Sequence, residues 1–163
     1  MVTPRLVIRS ISTDDAEFIC RLLNEPDFIR FIGDRGVRNS VDARRYIING
    51  PQKSYVTNGF GLWLICLAQT AEPVGMAGLI KRAGLEDIDI GYGFVKSARG
   101  QGYAFETAQA ILNYARTELN QDKVVAIVSP DNISSIGLLN KLGFSFNRLV
   151  RLPGEDHDCQ LFC

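Results

Sequence analysis

The chain carries no excess of either charge: its 163 residues hold 18 lysines and arginines against 18 aspartates and glutamates. A protein built to grip nucleic acid needs a basic surplus, so that class is excluded. No window approaches the roughly 20 consecutive apolar residues of a membrane span. The opening Met1-Val2-Thr3-Pro4-Arg5 has no signal-peptide h-region. The expectation is a cytoplasmic protein that engages neither nucleic acid nor membrane. Cysteine is sparse, and Cys20, Cys66, Cys159 and Cys163 lack the C-x2-C spacing of a zinc site. They read as free thiols in a reducing compartment, and no metal is expected. Histidine occurs once, at His157 between Asp156 and Asp158, as a surface group among acids or as a general base.

What is present is an ordinary globular composition, 46% hydrophobic and 22% charged, too apolar for a disordered chain. The length suits one domain over residues 1–163. No repeat, linker or low-complexity tract divides it. Arg5 to Arg9 reads as a strand. Ser12 and Asp15 form a capping box ahead of Ala16, Ile19, Cys20 and Leu23 at helical spacing. Phe28 to Ile32 is an apolar patch of unassigned type, and Gly33 to Asn39 a loop. Ser40 caps a second helix that Asn49-Gly50-Pro51 stops. Leu62 to Leu67, Val74 to Ile80 and Ile88 to Val95 are strands joined by short turns, hence an antiparallel meander. A long helix follows Gly102, and Lys123 to Val128 is an apolar, central strand. Another helix follows Asn132, with Gly143 at its C′ position. Phe144 to Leu152 and His157 to Phe162 are the last strands. The order βααβββαβαββ predicts an α/β (α+β) fold: a mixed, mostly antiparallel sheet of about seven strands with helices on both faces.

The most informative stretch is Val95-Lys96-Ser97-Ala98-Arg99-Gly100-Gln101-Gly102-Tyr103-Ala104. It joins an apolar strand to an amphipathic helix. Gly100 and Gly102 permit backbone angles closed to other residues. A helix start offers N–H groups and a favourable dipole to an anion, and Lys96 and Arg99 add positive charge. The stretch therefore reads as a pyrophosphate cradle or as a plain glycine-rich helix start. No G-x4-G-K-[ST] string exists. Phe105 stands where a G-x-G-x-x-G motif requires its third glycine, and a meander precedes the turn instead of a βαβ start.

Arg99-x-x-Gly102-x-Ala104 resembles the [QR]-x-x-G-x-[GA] signature of the GNAT superfamily of acyl-CoA N-acyltransferases. Asn132-Ile133-Ser134-Ser135, followed by Lys141, Leu142, Gly143 and Phe144, resembles that family's N-x-x-S…K-x-G-F segment. Thr3-Pro4-Arg5-Leu6-Val7-Ile8-Arg9 and Ile90-Gly91-Tyr92 resemble segments of its RimJ/RimL-like branch. That branch contains ribosomal-protein N-acetyltransferases and relatives acting on small amines. The resemblance spans the chain in order and implies the GNAT fold.

It also implies roles. Acetyl-CoA is the cosubstrate, bound where the third meander strand and the Lys123 to Val128 strand separate. Its pyrophosphate rests on Arg99, Gly100, Gln101, Gly102, Tyr103 and Ala104, and its pantetheine pairs with the backbone of Phe94 and Val95. Asn132 reaches the cofactor or its bound water. The acetyl group passes directly to a primary amine, on a small molecule or a protein N-terminus, in a ternary complex. The alternative is a non-catalytic acyl-CoA-binding regulatory module. The amine must lose a proton, and a carboxylate is the usual acceptor. Of Glu86, Asp87 and Asp89, the residue preceding Ile90-Gly91-Tyr92, Asp89, is the favoured base; each also reads as a solvated turn acid. Many family members protonate the departing thiolate with a tyrosine in the helix after the fifth strand. None occurs there, and Ser135 is the substitute, or else a first-turn hydroxyl. Trp63, Phe60 and Tyr55 are candidates for the acceptor pocket or for the core. Gly137, inside a helix, marks close packing or cofactor approach. Arg30, Arg35, Arg38, Arg44 and Arg45 outnumber Asp27, Asp34 and Asp42 in the acceptor-selecting region, which argues against a strongly cationic acceptor. The oligomeric expectation is a monomer or homodimer, with Phe28 and Phe31 as contact candidates.

Overall fold

Leu6 and Ile8 alternate inward along the first strand, β1 (Leu6–Ser10). The computed structural model describes residues 1–163. Beyond β1, the Ser12 hydroxyl and the Asp15 carboxylate satisfy each other's backbone N–H groups in the expected capping box, and a 3-10 turn leads into α1 (Ala16–Leu23). Arg9 pairs with the same Asp15 at 2.7 Å, tying strand to helix start.

The next segment settles one unassigned stretch and departs from expectation in two places. The Phe28 to Ile32 patch is a short helix, α2 (Pro26–Ile32), with proline in its first turn, where a missing N–H costs nothing. The third helix, α3 (Ser40–Ile47), is capped by Asn39, not Ser40: Asn39 Oδ1 accepts from the N–H groups of Val41 and Asp42. Asn49-Gly50-Pro51 does not end the helical path. The chain widens into a π turn over Ile48–Gln52 that accommodates Pro51, and continues as α4 (Lys53–Asn58). A proline has no N–H to offer, so it interrupts one hydrogen bond, and the widened turn absorbs the interruption.

The meander is β2 (Leu62–Leu67), β3 (Pro73–Ile80) and β4 (Ile88–Phe94), paired antiparallel. Helix α5 (Tyr103–Glu118) crosses to β5 (Val124–Val128), and α6 (Ile133–Lys141) precedes β6 (Phe146–Val150) and β7 (Cys159–Phe162). The sheet order is β1-β2-β3-β4-β5-β7-β6. Only β4 and β5 run parallel, and they pair only at Ile88↔Val124 and Asp89↔Val125.

Register fixes which side chains meet which helices. Leu64, Met76 and Gly93 lie opposite one another on one face; there Gly93 sits beneath Phe28 of α2. Trp63, Ala77 and Tyr92 share the other face; there Trp63 meets Tyr114 of α5 edge-on, 5.6 Å between ring centroids. Helices thus cover both faces, and Leu6, Ile19, Leu22, Leu64, Leu79 and Ile111 are fully buried between the layers. All four cysteines are free thiols. No helix is long and apolar enough to cross a membrane.

Two glycine-to-alanine substitutions are expected to act with opposite signs. A Cβ at Gly78 lands 2.0 Å from the Gly61 carbonyl oxygen, which is backbone and cannot swing away. Gly78→Ala is expected to cost about 2 kcal/mol, lowering Tm by roughly 4–8 °C for a chain of this length. A Cβ at Gly137, exposed in α6, meets nothing within 4 Å. Gly137→Ala is expected to stabilise by about 0.5–1 kcal/mol. Calorimetric melting of both variants checks the pair.

Candidate active site

β4 pairs with β3 from Asp89 to Phe94 but with β5 at one end only. The Val95 N–H donates to the Val74 carbonyl at 3.0 Å. Antiparallel strands alternate the direction of their polar groups, so those of Tyr92 and Phe94 point away from β3, into the gap toward β5. On the far side β5 is held by β7. The gap opens a cleft of about 880 Å³ bordered by Asp89, Tyr92, Ala126, Asn132 and Ser135, with α2 and the α3–α4 segment as its other wall. This separation occurs where the sequence places it. The pantetheine contact does not transfer whole. Val95 is engaged by Val74, and the Phe94 carbonyl accepts from Arg99 Nε at 2.9 Å. The Phe94 N–H and both polar groups of Tyr92 are the ones left facing the gap.

At the C-terminal end of β4 the chain makes the glycine turn. Gly100 and Gly102 have φ of 74° and 80°, a region open to glycine. Every backbone N–H from Gly100 to Phe105 lacks an acceptor within the chain, and no side chain caps α5. These donors gather at the positive end of the α5 dipole. The Arg99 N–H, by contrast, bonds to the Lys96 carbonyl at 3.3 Å. Its guanidinium does not add free charge to the turn: it pairs with Asp27, and with Glu25 at 3.5 Å. Arg99 therefore fastens the turn to the start of α2.

A second fastening comes from the N-terminus. Arg5 Nε meets Glu106 Oε2 at 2.6 Å, Arg5 Nη1 donates to the Gln101 carbonyl at 2.9 Å, and the Thr3 hydroxyl donates to Glu106 Oε1 at 2.6 Å. The Arg5 guanidinium also lies 4.8 Å from the Tyr103 ring centroid. The Thr3-x-Arg5 opening and the glycine turn, far apart in sequence, are one assembly joined through Glu106, a residue the motif reading passed over.

The other end of β4 holds Asp89, only 1% exposed. Its Oδ2 accepts from Arg82 Nε at 2.8 Å; its Oδ1 is buried without a partner. Burial pushes its carboxyl above the ordinary range, and the Arg82 charge pulls partly back. The β3–β4 register has no shift, so Asp89 shares a face with Gly91 and Gly93 as strand parity requires. Glu86 and Asp87 do not join it. Asp87 pairs with Lys123 at 2.7 Å, and Glu86 is exposed outside the strand.

On the opposite face the Tyr92 and Ser135 hydroxyls are 2.8 Å apart. Burial raises the Tyr92 phenol. Ser135 is in turn placed by Asn132, whose Oδ1 caps the Ser135 N–H at 3.2 Å. The Asn132 oxygen thus holds the helix start, leaving its Nδ2 as the group free to reach outward. Tyr92 was legible only as part of Ile90-Gly91-Tyr92; its role follows from a contact across 43 residues. His157 is exposed at the cleft mouth, bonded to Asp156 at 2.9 Å, which raises its pKa. Trp63 and Phe60 are core, and the Tyr55 hydroxyl accepts from the Ile11 N–H at 3.1 Å and donates to the Leu62 carbonyl; none of the three borders the cleft. Of the two readings of Gly137, close packing within the chain is excluded by the open space around it. No group of three or more His, Cys, Asp or Glu side chains gathers as metal ligands do.

Comparison with known proteins identifies the family. An acetyltransferase (GNAT) domain family matches residues 5–145. The uncharacterized N-acetyltransferase p20 of Bacillus licheniformis is 30% identical over 155 residues, covering 93% of this chain and 85% of its own. YkkB of Bacillus subtilis (strain 168), an uncharacterized protein, is 29% identical over 155 residues, covering 93% and 88%. Among solved structures, an acetyltransferase from Agrobacterium tumefaciens str. C58 superimposes with a TM-score of 0.83 at 22% identity, covering 99% of this chain and 91% of its own. RimL, a ribosomal L7/L12 alpha-N-protein acetyltransferase solved with coenzyme A, does so with 0.84 at 18% identity, covering 99% and 94%. With the matched family spanning most of the sequence, the split strand and the glycine turn have a common explanation: the chain belongs to the GNAT acetyltransferase family.

Proposed function

We propose that the protein transfers the acetyl group of acetyl-CoA to a primary amine by direct attack in a ternary complex. The observation that carries the reading is the run of unpartnered N–H groups from Gly100 to Phe105, placed at the end of a strand whose free edge faces a cleft. Such donors suit a pyrophosphate, and the Tyr92 and Phe94 edge suits an extended amide-bearing arm. Asn132 Nδ2 borders the same path.

The chemistry needs two proton movements. An alkylammonium with a pKa near 10.4 is almost wholly protonated at neutral pH. Asp89 removes that proton, through water, to give the free amine. The nitrogen then attacks the thioester carbonyl carbon; an N–C bond forms and the C–S bond breaks. The carbonyl oxygen gains charge in passing, and an N–H on the free β4 edge can stabilise it. CoA leaves as a thiolate and takes the second amine proton by way of Ser135 and Tyr92. The sum is ammonium plus acetyl-CoA giving amide, CoA thiol and one released proton.

Free-thiol release from acetyl-CoA with a panel of amines tests the proposal. Acetyl-CoA binding with no thiol release from any amine contradicts it and leaves the binding-module alternative.

Asp89 has a pH signature. Its ionised form is the active base, so kcat/KM rises with pH through an apparent pKa above the ordinary carboxylate range and then levels. Because the Arg82 charge holds that pKa down, Arg82→Gln is expected to move the limb to higher pH. Asp89→Asn is expected to lower kcat/KM about 10²–10⁴-fold and abolish the limb. Asparagine keeps an oxygen for Arg82 Nε and removes a buried charge, so the Tm of this variant is expected not to fall.

The hydroxyl pair predicts non-additivity. A thiol with a pKa near 8.5 is a good leaving group, so Tyr92→Phe and Ser135→Ala are each expected to lower kcat only about tenfold. The double variant is expected to lose little more than either single one, because one relay is broken in each case. Steady-state kinetics of the three variants checks this.

A further inference from the structure

The charges around the cleft are unevenly neutralised. Among the charged groups that line it, Arg30 is paired with Asp131 at 2.9 Å, Asp34 is taken by Arg38, Lys81 donates to the Glu86 carbonyl at 2.6 Å, and Lys53 has no carboxylate partner. Arg35 is not paired: it donates only to the Ile32 carbonyl, at 3.2 Å. Arg82 gives Nε to Asp89, and its two Nη groups have no acceptor in the chain. The Tyr46 hydroxyl also has none, although it borders the same cleft as Arg35, Arg82 and Asp89. Arg35, Arg82 and Tyr46 line that one cleft, and both guanidinium charges act on the hydroxyl. The facing hairpin contributes Glu155, one negative charge, and His157, which adds a positive one when protonated; with Lys53 and Lys81 on the lining, the positive excess stays in place.

An arginine held against a buried aspartate presents adjacent positive and negative charge. That is the complement of a molecule with an ammonium and a carboxylate a few bonds apart. A polyamine or a lysine-rich N-terminus has only the first and meets Arg35 and Arg82 as like charges.

We propose that the acceptor is a small amine that carries its own carboxylate, as an amino acid does. The carboxylate binds the Arg82 Nη groups and Arg35, with the Tyr46 hydroxyl as a further donor, and the amine points toward Asp89. This rests on the acetyl-transfer reading and adds the acceptor class to it. Arg82 is then shared: Nε keeps Asp89 ionised while the Nη groups bind substrate.

The test uses matched acceptors: leucine, phenylalanine, glutamate and methionine, each against its α-amide, and 4-aminobutyrate against butylamine, with 2-aminoethyl phosphate as a phosphate-bearing control. Free-thiol release gives kcat/KM. The expected result is a preference of about thirtyfold for the carboxylate member of at least one pair, the size of charge-assisted contacts at a partly exposed site. Arg35→Gln is expected to cut that ratio to about threefold or less, by raising KM for the carboxylate member. Amides and plain amines used equally well or better in every pair overturn the inference while acetyl transfer stands. A stronger preference for 2-aminoethyl phosphate overturns the carboxylate assignment. Calorimetric titration of the CoA-saturated protein with the same amino acids supplies a readout without turnover, in which wild type binds and Arg35→Gln binds more weakly. Neither binding of an amino acid nor thiol release from any amine overturns both readings.

Discussion

The parallel pairing of β4 with β5, broken off after Asp89 and Val125, is the constraint on which the rest depends. α5 joins the two strands and obliges them to run the same way. Had they stayed paired, the sheet would be closed and the Tyr92 and Phe94 polar groups satisfied within it. Because they separate, β4 keeps a free edge inside the molecule. Its C-terminal end delivers the chain to a helix start rich in unpartnered N–H groups. Its N-terminal end is where pairing stops and Asp89 is buried. The glycine turn and the carboxylate lie toward opposite ends of one strand, roughly 17 Å apart from Asp89 to Phe94 at the rise of an extended chain. That suits a long cosubstrate with phosphates at one end and a reactive group at the other.

Holding this open edge takes attachments that have little to do with charge on the ligand. Arg99 pins the glycine turn to α2, while Arg5 and Thr3 pin it to the N-terminus through Glu106. These pairs are half-exposed, so each contributes modestly to stability; their geometric effect on the turn is what the site uses. Asp89 is the opposite case. A buried carboxylate with one unpartnered oxygen works against folding, and its raised pKa expresses that cost. In the proposed function the same desolvation gives a base with more affinity for a proton than an exposed carboxylate has, a common exchange of stability for activity.

Fold class and element order were legible because each rests on short-range signals: alternation in the meander, glycine at the turns, an apolar central strand; the split strand pair was legible only through the family resemblance. The capping box at Ser12 and Asp15 and the C′ glycine at Gly143 followed from local chemistry alone. The region from Pro26 to Asn58 was less legible. α2 is too short to show a full helical period, and a π turn defeats the rule that proline ends a helix. In the site, the conformation of the glycine turn was legible, whereas several of the groups assigned to the cofactor are engaged within the chain. The glycines stand where expected. The Arg99 guanidinium and the Asn132 Oδ1 are used to hold the scaffold, and Val95 is bound into β3. Tyr92 with Ser135, Arg82 with Asp89, and Thr3 and Arg5 with Glu106 are contacts between distant segments that no spacing within one segment encodes. The zero net charge resolves in part into local pairs, and Arg35 and the outer face of Arg82 are among the cationic groups that no carboxylate of the chain occupies.

Backbone amide NMR during titration with CoA tests the central claim most directly, because it reads the proposed donors one by one. The expected result is that the amides of Gly100 to Phe105, together with those of Tyr92 and Phe94, shift in step with saturation, while Val95, bonded to Val74, moves little. Saturable CoA binding that leaves the Gly100 to Phe105 and Tyr92 and Phe94 amides unmoved would contradict the account.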